Sequence, residues 1–383
     1  MYKDSFEIGI SGWGSISALG IDKESIYREL SSNASKAVRN SANEWVVPLS
    51  AKTQALTHEL AANYRVHRKT DRVVHLGLLA AREAVAMAKW QDADFGINIG
   101  SSRGATGLWE SYHGHFQESQ EALLNSSPAT TSGNISYWLG QHFKQKGIAF
   151  SHSITCSSSF HSILNGIAWL RSGMADRFLA GGSEAPLTPF TVAQMRALRI
   201  YSNSDEPYPT KPMSPDSGGM ILGEGSGVFA LERKSSTSKA LISGMGWSTE
   251  GIESPTSISS AGEALEKSMK MALKNHDIAD VDAVILHAPG NLRGDEAEKN
   301  ALDKVFGTKT PAYTSNKWKI GHLLGASGAL SLEMGLQMIT QNQFFPIPYI
   351  NYPSLPERIE NVLINSTGFG GNAVSFLISK NRT

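Results

Sequence analysis

A five-residue stretch near the N-terminus, Ile10-Ser11-Gly12-Trp13-Gly14, returns as Ile242-Ser243-Gly244-Met245-Gly246, just past the polar linker Arg233-Lys234-Ser235-Ser236-Thr237-Ser238. Each copy opens a segment that carries its own strand–turn–buried-helix unit, centred on Cys156 in the first and on Gly321-His322 in the second. The spacing predicts a duplicated α/β fold whose halves, residues 1–238 and 239–383, face each other. Between the copies, short apolar runs alternate with helical periodicity, which favours α/β architecture. Glu7–Gly12, Phe95–Gly100, Ala149–Thr155, Arg177–Ala180, Val281–Leu286 and Asn361–Ser366 read as strands. Asp71–Lys89 reads as a helix with one compact apolar face made of Val73, Val74, Gly77, Leu78, Ala81 and Val85. Leu323–Ile339, rich in Gly, Ala and Leu, reads as a buried helix. Tyr201–Gly219, with four prolines, reads as a long irregular loop of the kind that often carries function.

Composition narrows the chemistry. The 383 residues carry 35 basic and 35 acidic side chains, so the charge balance lacks the basic excess of a general nucleic-acid binder. One cysteine excludes an intramolecular disulfide and a cysteine-rich metal site. The N-terminal residues show no basic-then-apolar leader, and no run reaches the length of a membrane span, so a soluble, cytoplasmic protein is expected. Two glycine motifs invite nucleotide readings and fail them. Gly12-Trp13-Gly14 has Ser17 where a dinucleotide fingerprint needs its third glycine, and Gly223-Glu224-Gly225-Ser226-Gly227 lacks the Lys-Ser/Thr of a phosphate loop and reads as a tight turn. His113-Gly114-His115 reads as a solvated surface pair.

Cys156 lies where an apolar strand passes into a helix with the buried face Phe160, Ile163, Leu164, Ile167 and Leu170. A thiol at a helix N-terminus is expected to have a lowered pKa. Two further clusters accompany it. Leu286-His287-Ala288-Pro289-Gly290-Asn291 ends a strand in histidine and a turn, with Asp295 and Glu298 close behind. Lys317 stands five residues before His322, which opens a buried helix. Together they supply a nucleophile and two donors suited to a developing oxyanion.

In these motifs the chain resembles the elongating β-ketoacyl-acyl-carrier-protein synthases of the thiolase superfamily, over nearly its whole length. Cys156-Ser157-Ser158-Ser159-Phe160-His161, Ala180-Gly181-Gly182-Ser183-Glu184-Ala185, Arg196-Ala197-Leu198, the Leu222–Gly227 segment, the His287 and His322 motifs and Asn365-Ser366-Thr367-Gly368-Phe369-Gly370-Gly371 follow in family order. The resemblance implies a thiolase-like duplicated αβαβα layered fold and a decarboxylative Claisen condensation. It makes Cys156 the acyl-accepting nucleophile, His287 and His322 the enolate donors and Lys317 their electrostatic support. Glu298 and Asp295 support the site, and the backbone N–H groups of Cys156 and Phe369 form the oxyanion hole. No metal or organic cofactor is implied. The implied partners are an acyl carrier protein, docked by Arg65, Arg68 and Lys69, and a second subunit, identical or related. A second cysteine, which degradative thiolases need, is lacking, and His322 points to the Cys-His-His group rather than Cys-His-Asn enzymes.

The departures are specific. Pro289 and Asn291 replace the threonines that relatives place against the pantetheine arm, and Asn372-Ala373 replaces a Thr-Asn pair. Ser331 stands where a glutamate is usual, with Glu333 two residues on, and Met213-Ser214 replaces Phe-Asp in the long loop. Arg103 occupies a position that lines the acyl pocket in relatives. It is expected to pair with an acidic or backbone group across a dimer interface, or to cap a pocket for a short or polar acyl end. These departures keep open an alternative, a non-catalytic subunit like the chain-length factors that pair with ketosynthases in polyketide and polyene pigment pathways.

Overall fold

The repeated glycines turn out to be a packing device. In the computed structural model, which describes residues 7–63, 69–251 and 258–382, Gly12 and Gly14 lie under the helix Arg72–Ala88. A Cβ on them would come within 2.5 Å of the Ala84 carbonyl and 2.1 Å of the Ala80 carbonyl. Gly244 and Gly246 lie in the same way under the helix Glu263–Ala272, 2.1 Å from the Ala272 carbonyl and 2.0 Å from that of Ser268. Residues i and i+2 of a strand share a face, so each Gly-x-Gly bares a strip of backbone on which an outer helix rests directly.

In chain order the strands are β1 (Ile8–Ile16), β2 (Val38–Arg39), β3 (Trp45–Val47), β4 (Gly96–Gly100), β5 (Ala149–Phe150), β6 (Arg177–Glu184) and β7 (Leu222–Gly223). They continue as β8 (Gly225–Arg233), β9 (Ala240–Thr249), β10 (Ala283–Ile285), β11 (Ala312–Thr314), β12 (Asn361–Gly368) and β13 (Asn372–Lys380). Strands β2, β3 and β7 form a small sheet, and the other ten form one sheet in the order β11-β10-β12-β13-β9-β1-β8-β6-β4-β5. Reading outward from its middle, β1-β8-β6-β4-β5 and β9-β13-β12-β10-β11 have the same order and directions. In each the second strand, β8 or β13, is antiparallel to its neighbours on both sides, and the other four run parallel to one another. The two sets join where Ile8 faces Ile242 in the antiparallel β1–β9 pair.

The helices Ser158–Arg171 and Ser327–Gln341 pack against each other and against the inner faces of both sets. One apolar cluster joins Phe160, Ile163 and Ile167 to Leu332, Leu336, Ile364 and Phe376. The outer helices cover the opposite faces, Arg72–Ala88 over Val228 and Ala230, and Glu263–Ala272 over Leu363 and Leu377. The result is five layers, αβαβα, the expected architecture. The helix at Asp71–Lys89 forms as expected, with the Asp71 carboxylate capping the Val73 N–H at 2.9 Å and Lys89 closing it in the left-handed region. Tyr201–Gly219 contains no regular element longer than a single bridge residue.

Three expectations are corrected. The glycine run at 223–227 is no turn. It leads into the central strand β8, where Gly227 leaves room for the Ala329 backbone 3.2 Å from a would-be Cβ. The strand expected over Ala149–Thr155 pairs only at Ala149–Phe150, because the chain then leaves the sheet to build the turn at Cys156. The helix expected from Leu323 begins at Ser327, after a tighter turn over Leu324–Ala326. No helix among the described residues is long and apolar enough to cross a membrane.

Candidate active site

Topologically equivalent connections, after β5 in one set and after β11 in the other, carry Cys156 and the Lys317–His322 segment, while His287 follows β10. In the first, Thr155 sits at φ 45°, a conformation that a β-branched residue adopts only under constraint. The constraint is visible: the Thr155 hydroxyl donates to the Phe369 carbonyl at 2.9 Å. This kink aims Cys156 out of the strand direction just ahead of the helix Ser158–Arg171. The serine run that follows ties the turn to its surroundings. Ser157 donates to the Ile154 carbonyl at 3.0 Å and to Asn372 Oδ1. Ser158 accepts from the Ile154 N–H at 2.8 Å, and Ser159 accepts from the Ala329 N–H at 3.1 Å. The closing glycine loop lies directly against the thiol turn: a Cβ on Gly368 would stand 2.8 Å from the Cys156 nitrogen.

Cys156 is half-buried and packs against the apolar cluster that contains Val192, Met195, Tyr201 and Leu324. Its surroundings reverse the expected titration. Desolvation first, then the Glu184 carboxylate, push the thiol up to about 12, while Lys317 pulls it down. The helix N-terminus therefore does not hold a resting thiolate.

The second connection is fully buried. The rings of His287 and His322 lie 5.2 Å apart at 78°. The Leu324 N–H donates to His322 Nδ1 at 2.9 Å, and the Ser327 hydroxyl lies 3.1 Å from the same nitrogen. An acceptor at Nδ1 requires the proton on Nε2, so His322 is a neutral donor in a fixed tautomer. Burial and Lys317 lower its pKa to about 3, and burial with the same cation holds His287 well below the usual imidazole range. His287 is held through its backbone. Glu298 accepts from the His287 N–H at 2.9 Å, the Ala288 N–H at 2.6 Å and Asn365 Nδ2 at 3.0 Å. Lys317 Nζ is buried without a hydrogen-bond partner among the described residues. Burial lowers the ammonium to about 8, while Glu298, Cys156 and Asp295 act to raise it.

Asp295, with burial raising its carboxyl to about 7, staples two loops. It accepts from the Met213 N–H at 2.8 Å and the Gly290 N–H at 3.0 Å. Met213, at φ 65°, is the strained point of the long proline loop.

The structure explains several departures. Asn291 caps the helix Leu292–Phe306 by accepting from the Gly294 N–H at 2.9 Å. Asn372 bridges Ser157 and the Phe369 carbonyl. Glu333 gives no substitute for the missing glutamate, since it faces Lys23 at 3.4 Å and Gln337 at 3.1 Å. Among the described residues of this chain Arg103 meets no acidic partner. It donates within the chain to Gln194 Oε1 and, at 3.3 Å, to Thr191 Oγ1. It lines a cavity of about 260 Å³ with Trp109, Glu110 and Phe190. Lys69 is exposed, and Arg65 and Arg68 lie outside the described residues. His113 stacks on Trp109 at 5.6 Å on an exposed helix.

Sequence reasoning passed over Glu184, Asn365 and the serine run. Glu184 and the serines stood inside quoted motifs, but their contacts reach residues far away in the chain. Asn365 passes the Glu298 contact on to Ser375 at 2.8 Å.

Against known proteins, the model of the beta-ketoacyl synthase N-terminal domain matches residues 6–237, and that of the C-terminal domain matches residues 239–351. Nodulation protein E of Rhizobium sp. (strain N33) is 29% identical, over 90% of this chain and 88% of its own length. The 3-oxoacyl-[acyl-carrier-protein] synthase 2 of Coxiella burnetii is 27% identical, over 97% of this chain and 98% of its own. A solved ketosynthase in complex with its chain length factor, from Xenorhabdus doucetiae, superposes with a TM-score of 0.79 at 21% identity. It covers the whole of both chains.

Proposed function

The chain belongs to the β-ketoacyl synthase family, and from that premise we propose that it is an acyltransferase condensing malonyl-acyl-carrier protein with an acyl group held on Cys156. Such a reaction serves fatty-acid or polyketide synthesis in the cytoplasm. The observation that carries this reading is the pairing of a half-buried thiol on a strained turn with the buried His287–His322 pair, the second locked as an Nε2–H donor.

In the first step Sγ attacks the carbonyl carbon of an acyl-carrier thioester. The thiol loses its proton, the old C–S bond breaks, and the departing carrier thiolate regains a proton. A thiol raised to about 12 is protonated at rest, so its activation accompanies transfer. The Cys156 and Phe369 N–H groups receive the oxyanion of the tetrahedral intermediate. Malonyl thioester then enters and loses carbon dioxide. The enolate oxygen takes hydrogen bonds from the Nε2–H groups of His287 and His322. The enolate carbon attacks the acyl-cysteine, the C–S bond breaks to Cys156, and the β-ketoacyl product leaves on its carrier. Lys317 favours the developing negative charge, and because its ammonium lies at about 8 it carries that charge at neutral pH. Glu298 fixes the His287 backbone, and Asp295 fixes the loop beside it.

The chain acts with an acyl carrier protein and pairs with a second, identical or related, ketosynthase-like subunit. Lys69, with Arg65 and Arg68, supplies the basic docking residues. The division at 238/239 separates the half bearing the nucleophile from the half bearing the donors. Mass spectrometry after incubation with acyl-carrier protein tests the assignment. The wild type gains one acyl mass on the peptide containing Cys156, and Cys156→Ala gains none. A wild-type protein that acquires no adduct, despite intact fold, would support the non-catalytic subunit instead.

A further inference from the structure

Glu184 ends β6 and is wholly buried. One oxygen, Oε1, accepts from three backbone N–H groups: Ser102, Arg103 at 3.3 Å and Gly325 at 3.2 Å. The first two belong to the loop that carries Arg103, and the third to the turn that follows His322. The approach is tight. A Cβ on Gly325 would stand 2.8 Å from Glu184 Oε1, 2.6 Å from the Ser102 nitrogen and 3.1 Å from Ser158 Cβ, at the start of the nucleophile helix. The other oxygen, Oε2, is buried and takes no hydrogen bond from the described residues.

The donors that hold the carboxyl are neutral backbone N–H groups. A buried carboxylate without a cation is costly unless something depends on it. The Arg103 side chain, whose own backbone N–H is on Oε1, donates instead to Gln194 and Thr191. The charged groups that act on the Cys156 thiol are Glu184, which disfavours thiolate, and Lys317, which favours it.

We infer that Glu184 is a positioning residue of the transfer site. Its Oε1 holds the Ser102–Arg103 loop and the His322 turn as two walls beside Cys156, and its free Oε2 places a negative charge within reach of the thiol. It joins the nucleophile side of the site to the donor side through a single atom. This rests on Cys156 being the acyl-accepting nucleophile. The burial that raises the carboxyl to about 7 fits the same arrangement, because the free oxygen is then charged or neutral according to pH near neutrality.

Two substitutions separate the two oxygens. Glu184→Gln keeps an acceptor for the three N–H groups and removes the charge; Glu184→Ala removes both. Iodoacetamide alkylation of Cys156, followed from pH 6 to 10 in the intact protein, reads the charge. Transfer from acyl-carrier protein, followed by mass, reads the walls. For Glu184→Gln the alkylation profile moves to lower pH. For Glu184→Ala loading falls by about tenfold or more, the scale expected when reacting groups lose their alignment. An unmoved alkylation profile in Glu184→Gln, or wild-type loading in Glu184→Ala, overturns the inference. Should Glu184→Ala not fold, the Glu184→Gln profile decides. If the wild type itself takes no acyl group, the proposed function fails, yet the alkylation shift is still read because it needs no carrier protein.

Discussion

The connections after β5 and after β11 occupy the same place in two copies of one topology, and they have been put to opposite uses. The first is half-open. It spends backbone strain at Thr155 and a run of serines to present a thiol that is not ionised at rest. The second is closed. It buries His322, Lys317 and their neighbours and fixes a proton on one nitrogen. A nucleophile must meet a bulky thioester and let its product go, so exposure and a bent backbone suit it. Donors to a developing oxyanion act best from a desolvated, prearranged site. Duplication supplies two equivalent frames, and chemistry decides which is opened.

Removing the donors, His322 on the second connection and His287 after β10, tests whether the two halves really divide the work. His287→Ala and His322→Ala should each lower carbon dioxide release from malonyl-carrier protein by about 10²–10³-fold, the cost of losing one oxyanion donor. Both should still gain an acyl mass on Cys156. Loss of loading with decarboxylation intact would reverse the roles assigned to the two halves.

The closed half also has a pH signature. Both imidazoles are depressed in the fold from an ordinary value near 6.5, so the unfolded chain binds protons that the folded chain refuses. Their contribution to stability is complete above about pH 6.5 and is lost as pH falls towards the folded values. Between pH 6.5 and 4 the melting temperature of His322→Asn should therefore rise relative to that of the wild type, because the variant lacks one of the two imidazoles that resist protonation. Parallel curves would mean that His322 takes up its proton without opposing the fold.

A smaller effect tests the likeness of the frames rather than their difference. Gly14→Ala and Gly246→Ala each push a methyl to within 2.1 and 2.0 Å of a helix carbonyl. Both should lose about 1–3 kcal/mol by overpacking, measured by urea unfolding. A large cost in one copy and none in the other would show that the repeat is no longer one device used twice.

Those glycines also show what a single sequence discloses. The repeat was visible because each copy keeps the same two residues against the same kind of helix, a local requirement. Cys156, His287, Lys317 and His322 were legible because each sits at a strand end or helix start within a short motif. The thiol's titration was misjudged because it depends first on burial by the folded chain and then on Glu184, 28 residues away in the sequence. The run at Gly223–Gly227 misled because glycine serves a turn and a crowded strand equally well, and only the helix above β8 distinguishes them. Asn291 and Asn372 read as losses in the sequence, and the structure shows each making a definite bond.

The last test concerns the Arg103 loop, which follows β4 in the open half. Among the described residues Arg103 has no acidic partner and is held by the amide of Gln194 and the hydroxyl of Thr191. Both belong to the helix Pro189–Ala197, whose Val192 and Met195 pack in the apolar cluster that includes Cys156. A guanidinium bound only by neutral acceptors retains donors for an oxygen atom and repels a methyl end, since covering it with hydrocarbon would cost its hydration. Arg103→Ile should therefore raise loading of long saturated acyl groups relative to short or oxygenated ones by about tenfold, the worth of roughly 1.4 kcal/mol. Competition between two acyl-carrier thioesters, read by the mass on Cys156, measures that ratio directly. A wild type that already prefers long saturated chains would separate Arg103 from substrate choice and leave the division of labour between the two connections untouched.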